Sequence, residues 1–179
     1  RPIVAVLDSG VDLNHPDLQG NLWKNDKECG LDPKVDNDSN KLPGDCHGWN
    51  FTEAIDSEEA RTPQDNDGHG SHVAGIIAAA NNGLGIVGVN PNALIMPVKV
   101  MRDSNSKSDI NSSESFAQGI IYATNMGAHV INLSLGWPRS LETKHLKDAV
   151  YYALSRNVII VAAAGNNNSS EPLFPCAYD

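Results

Sequence analysis

Basic residues are scarce in this chain. Thirteen Lys and Arg stand against 22 Asp and Glu, for a net charge of −9. That balance sets aside nucleic acid and anionic membranes as partners, because both are held through cationic side chains. Long apolar runs are lacking too. No stretch reaches the roughly 18–20 consecutive apolar residues that a membrane-spanning helix requires, so no membrane partner is expected. No signal peptide precedes Ile3, and the chain opens directly on a strand pattern, as a processed protein or a domain edge would. Neither a linker nor an internal repeat interrupts the sequence. With 179 residues, 40% of them hydrophobic, one domain with a sizeable core is expected.

Cysteine is also sparse: Cys29, Cys46 and Cys176 are the only three. Cys29 and Cys46 share one polar stretch. They are either unrelated thiols or a disulfide clamping a long loop. The disulfide is the expectation, and it would place the protein in an oxidising compartment, secreted or otherwise extracytoplasmic. Cys176 is either free or paired with sequence outside this chain.

What the chain does have is alternation. Ile3–Leu7, Leu94–Val100, Val130–Leu135 and Val158–Ala164 are short apolar runs with few charges, which predicts fully buried strands. The patterns between them predict helices over His69–Ala80, Glu114–Met126 and Leu141–Ser155, with Asn111, Ser112 and Ser113 as cap candidates for the second. Strands alternating with helices predict an α/β fold, a parallel sheet with helices on both faces. Ligands in such folds gather at the carboxyl ends of strands. Asp8, Ser134 and Asn166 fall there or just beyond.

Residues 19–66 break this rhythm. They are rich in Asp, Asn, Gly and Pro, and they read as a long acidic loop insertion. Most acidic loops are simply solvated. A loop this long in a compact domain usually has an anchor, however, and oxygen ligands at alternating positions suit a hard cation such as calcium.

Two motifs about sixty residues apart carry the chemistry. Ile3-Val4-Ala5-Val6-Leu7-Asp8-Ser9-Gly10 puts a carboxylate at the end of an apolar run, where burial demands a partner. Taken alone, Asp8 would be a strand-end acid capping a turn. Asp67-Gly68-His69-Gly70-Ser71-His72-Val73-Ala74-Gly75 puts a histidine at the mouth of a helix small enough to pack tightly. His69 and His72 are three apart, as in a zinc pair, but no cysteine or acid completes a tetrahedral set at convincing spacing. His72 is expected to be buried and hydrogen-bonded. Asn166 follows Val161-Ala162-Ala163-Ala164-Gly165; it is either a turn former, with Asn167 and Asn168, or an amide donor toward a developing oxyanion. The backbone of Ser134-Leu135-Gly136 can pair with an extended peptide. A carboxylate and a histidine are two members of a serine-hydrolase triad, and no convincing nucleophilic serine is present.

Taken in order, these blocks resemble the subtilisin-like serine proteases, or subtilases. The resemblance rests on Val4–Gly10, His15-Pro16-Asp17-Leu18, Gly68–Gly75, Gly85–Pro91, Asn132–Gly136 and Ala163–Asn166, collinear across nearly the whole chain. It implies an endopeptidase acting on polypeptides. By it, Asp8 orients the imidazole, His69 is the general base, and Asn166 supplies an oxyanion-hole amide. Ser134, Leu135 and Gly136 on one side, and Ala163, Ala164 and Gly165 on the other, become the walls of the pocket for the side chain preceding the scissile bond. A floor near Leu173 points to apolar side chains there. Ser104 to Asp109 becomes a second edge for the substrate strand. A calcium site is implied at Asp17 and Asn82 with the carbonyls of Ala80, Leu84 and Ile86, and a cis peptide at Phe174-Pro175.

The family's Gly-Thr-Ser-Met-Ala motif does not occur. The expectation is therefore a truncated peptidase domain, inactive alone, whose partner is a C-terminal segment bearing the serine. A propeptide or protein inhibitor is a further possible partner. The competing reading is a non-catalytic subtilase-like binding or regulatory module. A nucleotide-binding domain, suggested by Gly83–Gly88, fails because that run does not join a strand to a helix.

Overall fold

The computed structural model describes residues 1–102 and 113–178. Five strands form one parallel sheet: β1 (Ile3–Asp8), β2 (Trp49–Asn50), β3 (Leu94–Lys99), β4 (Val130–Leu133) and β6 (Ile159–Ala162), in the order β2-β3-β1-β4-β6. The short strands β5 (Trp137–Pro138) and β7 (Leu173–Phe174) pair antiparallel apart from it. Helix α1 (His69–Ala78) packs on one face, and α2 (Ser113–Asn125) and α3 (Lys144–Ser155) pack on the other. The expected α/β arrangement is present.

Alternation along β1 decides which face each helix covers. Val6 is packed with Ala74 and Ala78 of α1. Ala5 and Leu7 belong to the larger core with Phe116, Ala117 and Ile120 of α2 and Leu146, Ala149 and Val150 of α3. The buried positions of α3, Leu146, Ala149, Val150 and Ala153, follow helical spacing. That helix starts at Lys144 rather than Leu141 because the Thr143 hydroxyl caps it, accepting from the Leu146 N–H at 3.3 Å. Helix α1 contains two glycines and forms on tertiary packing rather than propensity, since its small residues let backbone approach backbone.

Three expectations need correction. Residues 19–66 are not wholly an insertion. Trp49 and Asn50 form an edge strand of the sheet, and Trp49 is buried in the core. Gly48 permits this entry, because a Cβ there would sit 1.8 Å from the Pro97 carbonyl oxygen. Second, Val158–Ala164 is not a fully buried strand. Within β6, Ile159 is 61% exposed and Val161 49%. Both point to the α1 side, where α1 lies over β1 and β3 and nothing among the described residues covers β4 and β6. Third, His72 is exposed on α1 rather than buried.

Cys29 and Cys46 are joined in a disulfide, with Cα atoms 4.6 Å apart. Cys176 is free and exposed. The Phe174-Pro175 peptide is cis. Ser104–Asp109 and the cap candidates Asn111 and Ser112 lie outside the described residues.

Candidate active site

Asp8 ends β1 fully buried, and its Oδ1 accepts from the Ser9 N–H at 2.8 Å. The same oxygen lies 2.6 Å from His69 Nδ1. A carboxylate oxygen only accepts, so Nδ1 carries the proton and Nε2 keeps a lone pair. The imidazole is half exposed, with a side-chain accessibility of 48%. The hydrogen bond to Asp8 holds the His69 pKa above its ordinary value; partial burial opposes this, and the charges of Asp8, Asp67 and Asp65 reinforce it. A half-exposed base held in one tautomer is arranged to take a proton from a group brought to it.

The remaining candidates line the same carboxyl edge of the sheet. β4 lies between β1 and β6, so Ser134, Leu135 and Gly136 emerge beside Asp8, and Ala163, Ala164 and Gly165 emerge beside them in turn. The two segments stay joined past the strands, the Ala163 N–H donating to the Leu133 carbonyl at 3.0 Å. The Asn132 amide donates to Ser134 Oγ at 2.9 Å. Asn166 is exposed at this edge. Leu173 reaches into the gap between the two segments. A Cβ on Gly136 would lie 2.5 Å from Leu173 Cδ2, and one on Gly165 would lie 3.1 Å from the same atom.

The metal candidates also come together. The Ala80 N–H donates to the Asp17 carbonyl at 2.8 Å, and the Asn82 amide donates to Asp17 Oδ1 at 3.1 Å. The loop that holds Leu84 and Ile86 folds over the Asp17 carboxylate so closely that a Cβ on Gly85 would lie 2.1 Å from Asp17 Oδ2. A second cluster, Glu28, Asp38 and Asp45, offers carboxylate oxygens within 4.8 Å of one another, with Glu28 and Asp45 both buried. Burial pushes the Asp45 carboxyl up to about 6, against hydrogen bonds from Tyr122, Asn25 and Asn40 that favour its charged form. The oxygens of Glu28, Asp38 and Asp45 lie close enough together to hold a metal ion.

Sequence reasoning missed Asp65, Ser9 and Ser71, which surround the Asp8–His69 pair. Their signal was faint: an acid four residues before the histidine and a hydroxyl directly after Asp8. It also missed Lys99, a buried lysine whose Nζ donates to the Ser9 carbonyl at 2.8 Å and the Gln64 carbonyl at 3.1 Å.

Known proteins are similar to this chain. Thermitase of Thermoactinomyces vulgaris is 38% identical over 98% of this chain and 51% of its own length. An alkaline protease of Alkalihalobacillus alcalophilus is 39% identical over 98% of this chain and 36% of its own. The chain thus spans about half or less of these relatives. The crystal structure of fervidolysin from Fervidobacterium pennivorans superposes with a TM-score of 0.74 at 34% identity, covering 99% of this chain and 23% of that one. Residues 1–179 match the subtilase family profile end to end, and with the strand-end carboxylate set against a helix-mouth histidine the conclusion is plain: the chain belongs to the subtilase family.

Proposed function

We propose that this chain supplies the acid, the base and much of the substrate cleft of a serine endopeptidase. The observation that carries the reading is the 2.6 Å contact between Asp8 and a half-exposed His69. The nucleophilic serine belongs to a further segment of the protein, which packs where the sheet is bare. Exposed Ile159 and Val161, together with the outer edge of β6, unpaired among the described residues, favour that placement. His69 Nε2 takes the serine hydroxyl proton as the oxygen attacks the peptide carbonyl. Asp8 stabilises the imidazolium, which then gives the proton to the leaving amine. The Asn166 amide donates to the oxyanion. Water, deprotonated by the same imidazole, releases the acyl group.

The substrate is a polypeptide, extended along Ser134–Gly136 and Ala163–Gly165. Leu173 fills the floor between these walls, which favours small apolar side chains there. The two oxygen clusters suit calcium. Bound at Asp17, the ion would tie the segment before residue 19 to the Ala80–Ile86 loop; bound at Glu28, Asp38 and Asp45, it would neutralise buried carboxylates. The Cys29–Cys46 disulfide favours an extracytoplasmic location. A propeptide or protein inhibitor would occupy the same cleft.

The test is peptide turnover by the purified full-length protein with and without a serine-directed reagent. Reagent-sensitive turnover is expected, with none from residues 1–179 alone. A full-length protein that binds peptides but never cleaves them would instead mark a non-catalytic module.

A further inference from the structure

We infer that Asp65 is the positioning residue that sets the Asp8–His69 geometry, by tying the turn after β1 to the first turn of α1. This rests on the peptidase reading of the pair.

The first N–H groups of a helix have no intrahelical acceptor, and a side-chain cap normally satisfies one. The cap position of α1 is Gly68, which has no side chain to offer. Its φ of 100° would strain any other residue. The first intrahelical bond is made by the His72 N–H to the Gly68 carbonyl, at 3.0 Å. Ahead of it, the Ser71 N–H donates to Asp65 Oδ2 at 2.9 Å and the Gly70 N–H to Ser9 Oγ at 3.0 Å. The helix that presents His69 is therefore capped by two side chains from outside it, and one of these directly follows Asp8.

Asp65 joins them. Its Oδ1 accepts from Ser9 Oγ at 2.9 Å, from the Asp67 N–H at 3.0 Å and from the Gly68 N–H at 2.9 Å. Its Oδ2 also accepts from Ser71 Oγ at 2.7 Å. The carboxylate is nearly buried. Burial raises its pKa, but hydrogen bonds from Ser71, Gly68 and Asp67 outweigh that and hold it below the ordinary carboxylate value.

No side chain separates the two elements. A Cβ on Gly70 would lie 2.0 Å from the Gly10 carbonyl oxygen and 3.1 Å from Asp8 Cβ. At Gly70 backbone thus rests on backbone, and the hydrogen bonds of Asp65 and Ser9, with that of the Asp12 N–H to Ser71 Oγ at 2.8 Å, hold the register between Asp8 and His69. Lys99 of β3 clamps the same turn from the opposite side through the Ser9 carbonyl. The charged groups around His69 are then Asp8 on β1, Asp65 and Asp67 in the loop before α1, and Lys99 on β3 behind the turn.

The experiment compares full-length wild type, Asp65→Asn and Ser9→Ala. It measures kcat and KM against pH on a peptide substrate, and the His69 imidazole titration by NMR in the same proteins. Asparagine keeps the shape but replaces an acceptor with a donor. Asp65→Asn should lower kcat on the order of 100-fold and Ser9→Ala roughly tenfold, because misplacing a reacting group by about 1 Å costs that much. KM should stay within about threefold, since neither residue lines the walls for the substrate side chain. In Asp65→Asn the acid limb of kcat/KM and the NMR titration of His69 should both move to lower pH, because a negative charge near the imidazolium is gone. A folded Asp65→Asn protein with wild-type kcat overturns the inference whatever its His69 titration, because loss of the nearby charge moves that titration by itself. If Asp65→Asn does not fold, Ser9→Ala decides by the kcat readout, and wild-type kcat overturns the inference. If wild type shows no serine-reagent-sensitive turnover, the peptidase reading fails, and the His69 titration in Ser9→Ala, which removes hydrogen bonds without removing a charge, supports the tie if it moves and overturns it if it does not.

Discussion

Two sides of one sheet meet different fates. Over β1 and β3 the α1 layer is finished: Val6, Ala74 and Ala78 are fully buried, and the turn after β1 is bonded to the helix on several atoms. Over β4 and β6 no helix among the described residues packs on the same face, and Ile159 and Val161 are exposed. Beneath both, α2 and α3 cover the opposite face without a break. The finished side holds the acid and the base. The other side holds the segments proposed as substrate walls, and it is where the proposed serine-bearing segment would pack.

The largest effect should come from breaking the finished side. Asp8→Asn in the full-length protein replaces the oxygen facing His69 Nδ1 with a group that favours the wrong tautomer. We expect kcat to fall on the order of 10⁴-fold. Folding should persist, as a thermal melt would show. A folded variant with less than tenfold loss would remove Asp8 from the mechanism.

The bare side is tested by a charge. If a further segment covers β6, Val161→Asp buries an unpaired carboxylate and should cost about 3 kcal/mol or more in the full-length protein, measured by denaturant unfolding. If the face stays open, the cost should be within about 0.5 kcal/mol. Leu146→Ala calibrates the assay. It opens a cavity beneath a completed layer and should cost roughly 2–5 kcal/mol either way.

Leu173 sits between the segments that follow β4 and β6. Leu173→Gly removes the group that fills the gap between Gly136 and Gly165. We expect kcat/KM for substrates with a large apolar side chain before the scissile bond to rise roughly tenfold relative to small ones, the scale that a few methylenes set in such a pocket. Unchanged selectivity would mean that Leu173 does not floor the pocket.

The same contrast explains what the sequence made legible. Asp8 alone reads as a turn cap; the order of motifs and the resemblance they carry pair it with His69, and the two side chains meet at 2.6 Å. The parallel sheet followed from apolar runs alternating with helical patterns. β6 was misread because Val158–Ala164 is as apolar as the central strands, and hydrophobicity records what a strand is built to bury, not what covers it among the described residues. β2 escaped notice because two residues, Trp49 and Asn50, carry no period. His72 was misplaced for the opposite reason: helical spacing alone does not say whether a neighbour covers a given face. Asp65 left only a faint signal, since its bond to Ser9 joins residues 56 positions apart.

The smallest expected effect concerns the acidic loop. Asp45 is buried among Glu28 and Asp38, and its pKa is raised to about 6 from an ordinary value of 3.8. The sign follows from linkage. A carboxyl whose pKa is higher folded than unfolded stabilises the fold when protonated, so its contribution is full below about 3.8 and is lost as pH rises through about 6. Without metal, this site should therefore weaken the protein toward neutral pH. Calcium at Glu28, Asp38 and Asp45 would replace the proton with a cation and restore that stability where the carboxylates are charged. We expect saturating calcium to raise the melting temperature by about 5 °C at pH 7.5 and by less at pH 5, where protons compete for the same oxygens. Asp45→Asn should shrink the calcium shift at pH 7.5 while leaving any contribution from Asp17, a separate site on the α1 side of the molecule. A calcium shift of equal size at both pH values, unchanged in Asp45→Asn, would assign all of the metal stabilisation to the Asp17 loop and leave Glu28, Asp38 and Asp45 as a purely hydrogen-bonded cluster.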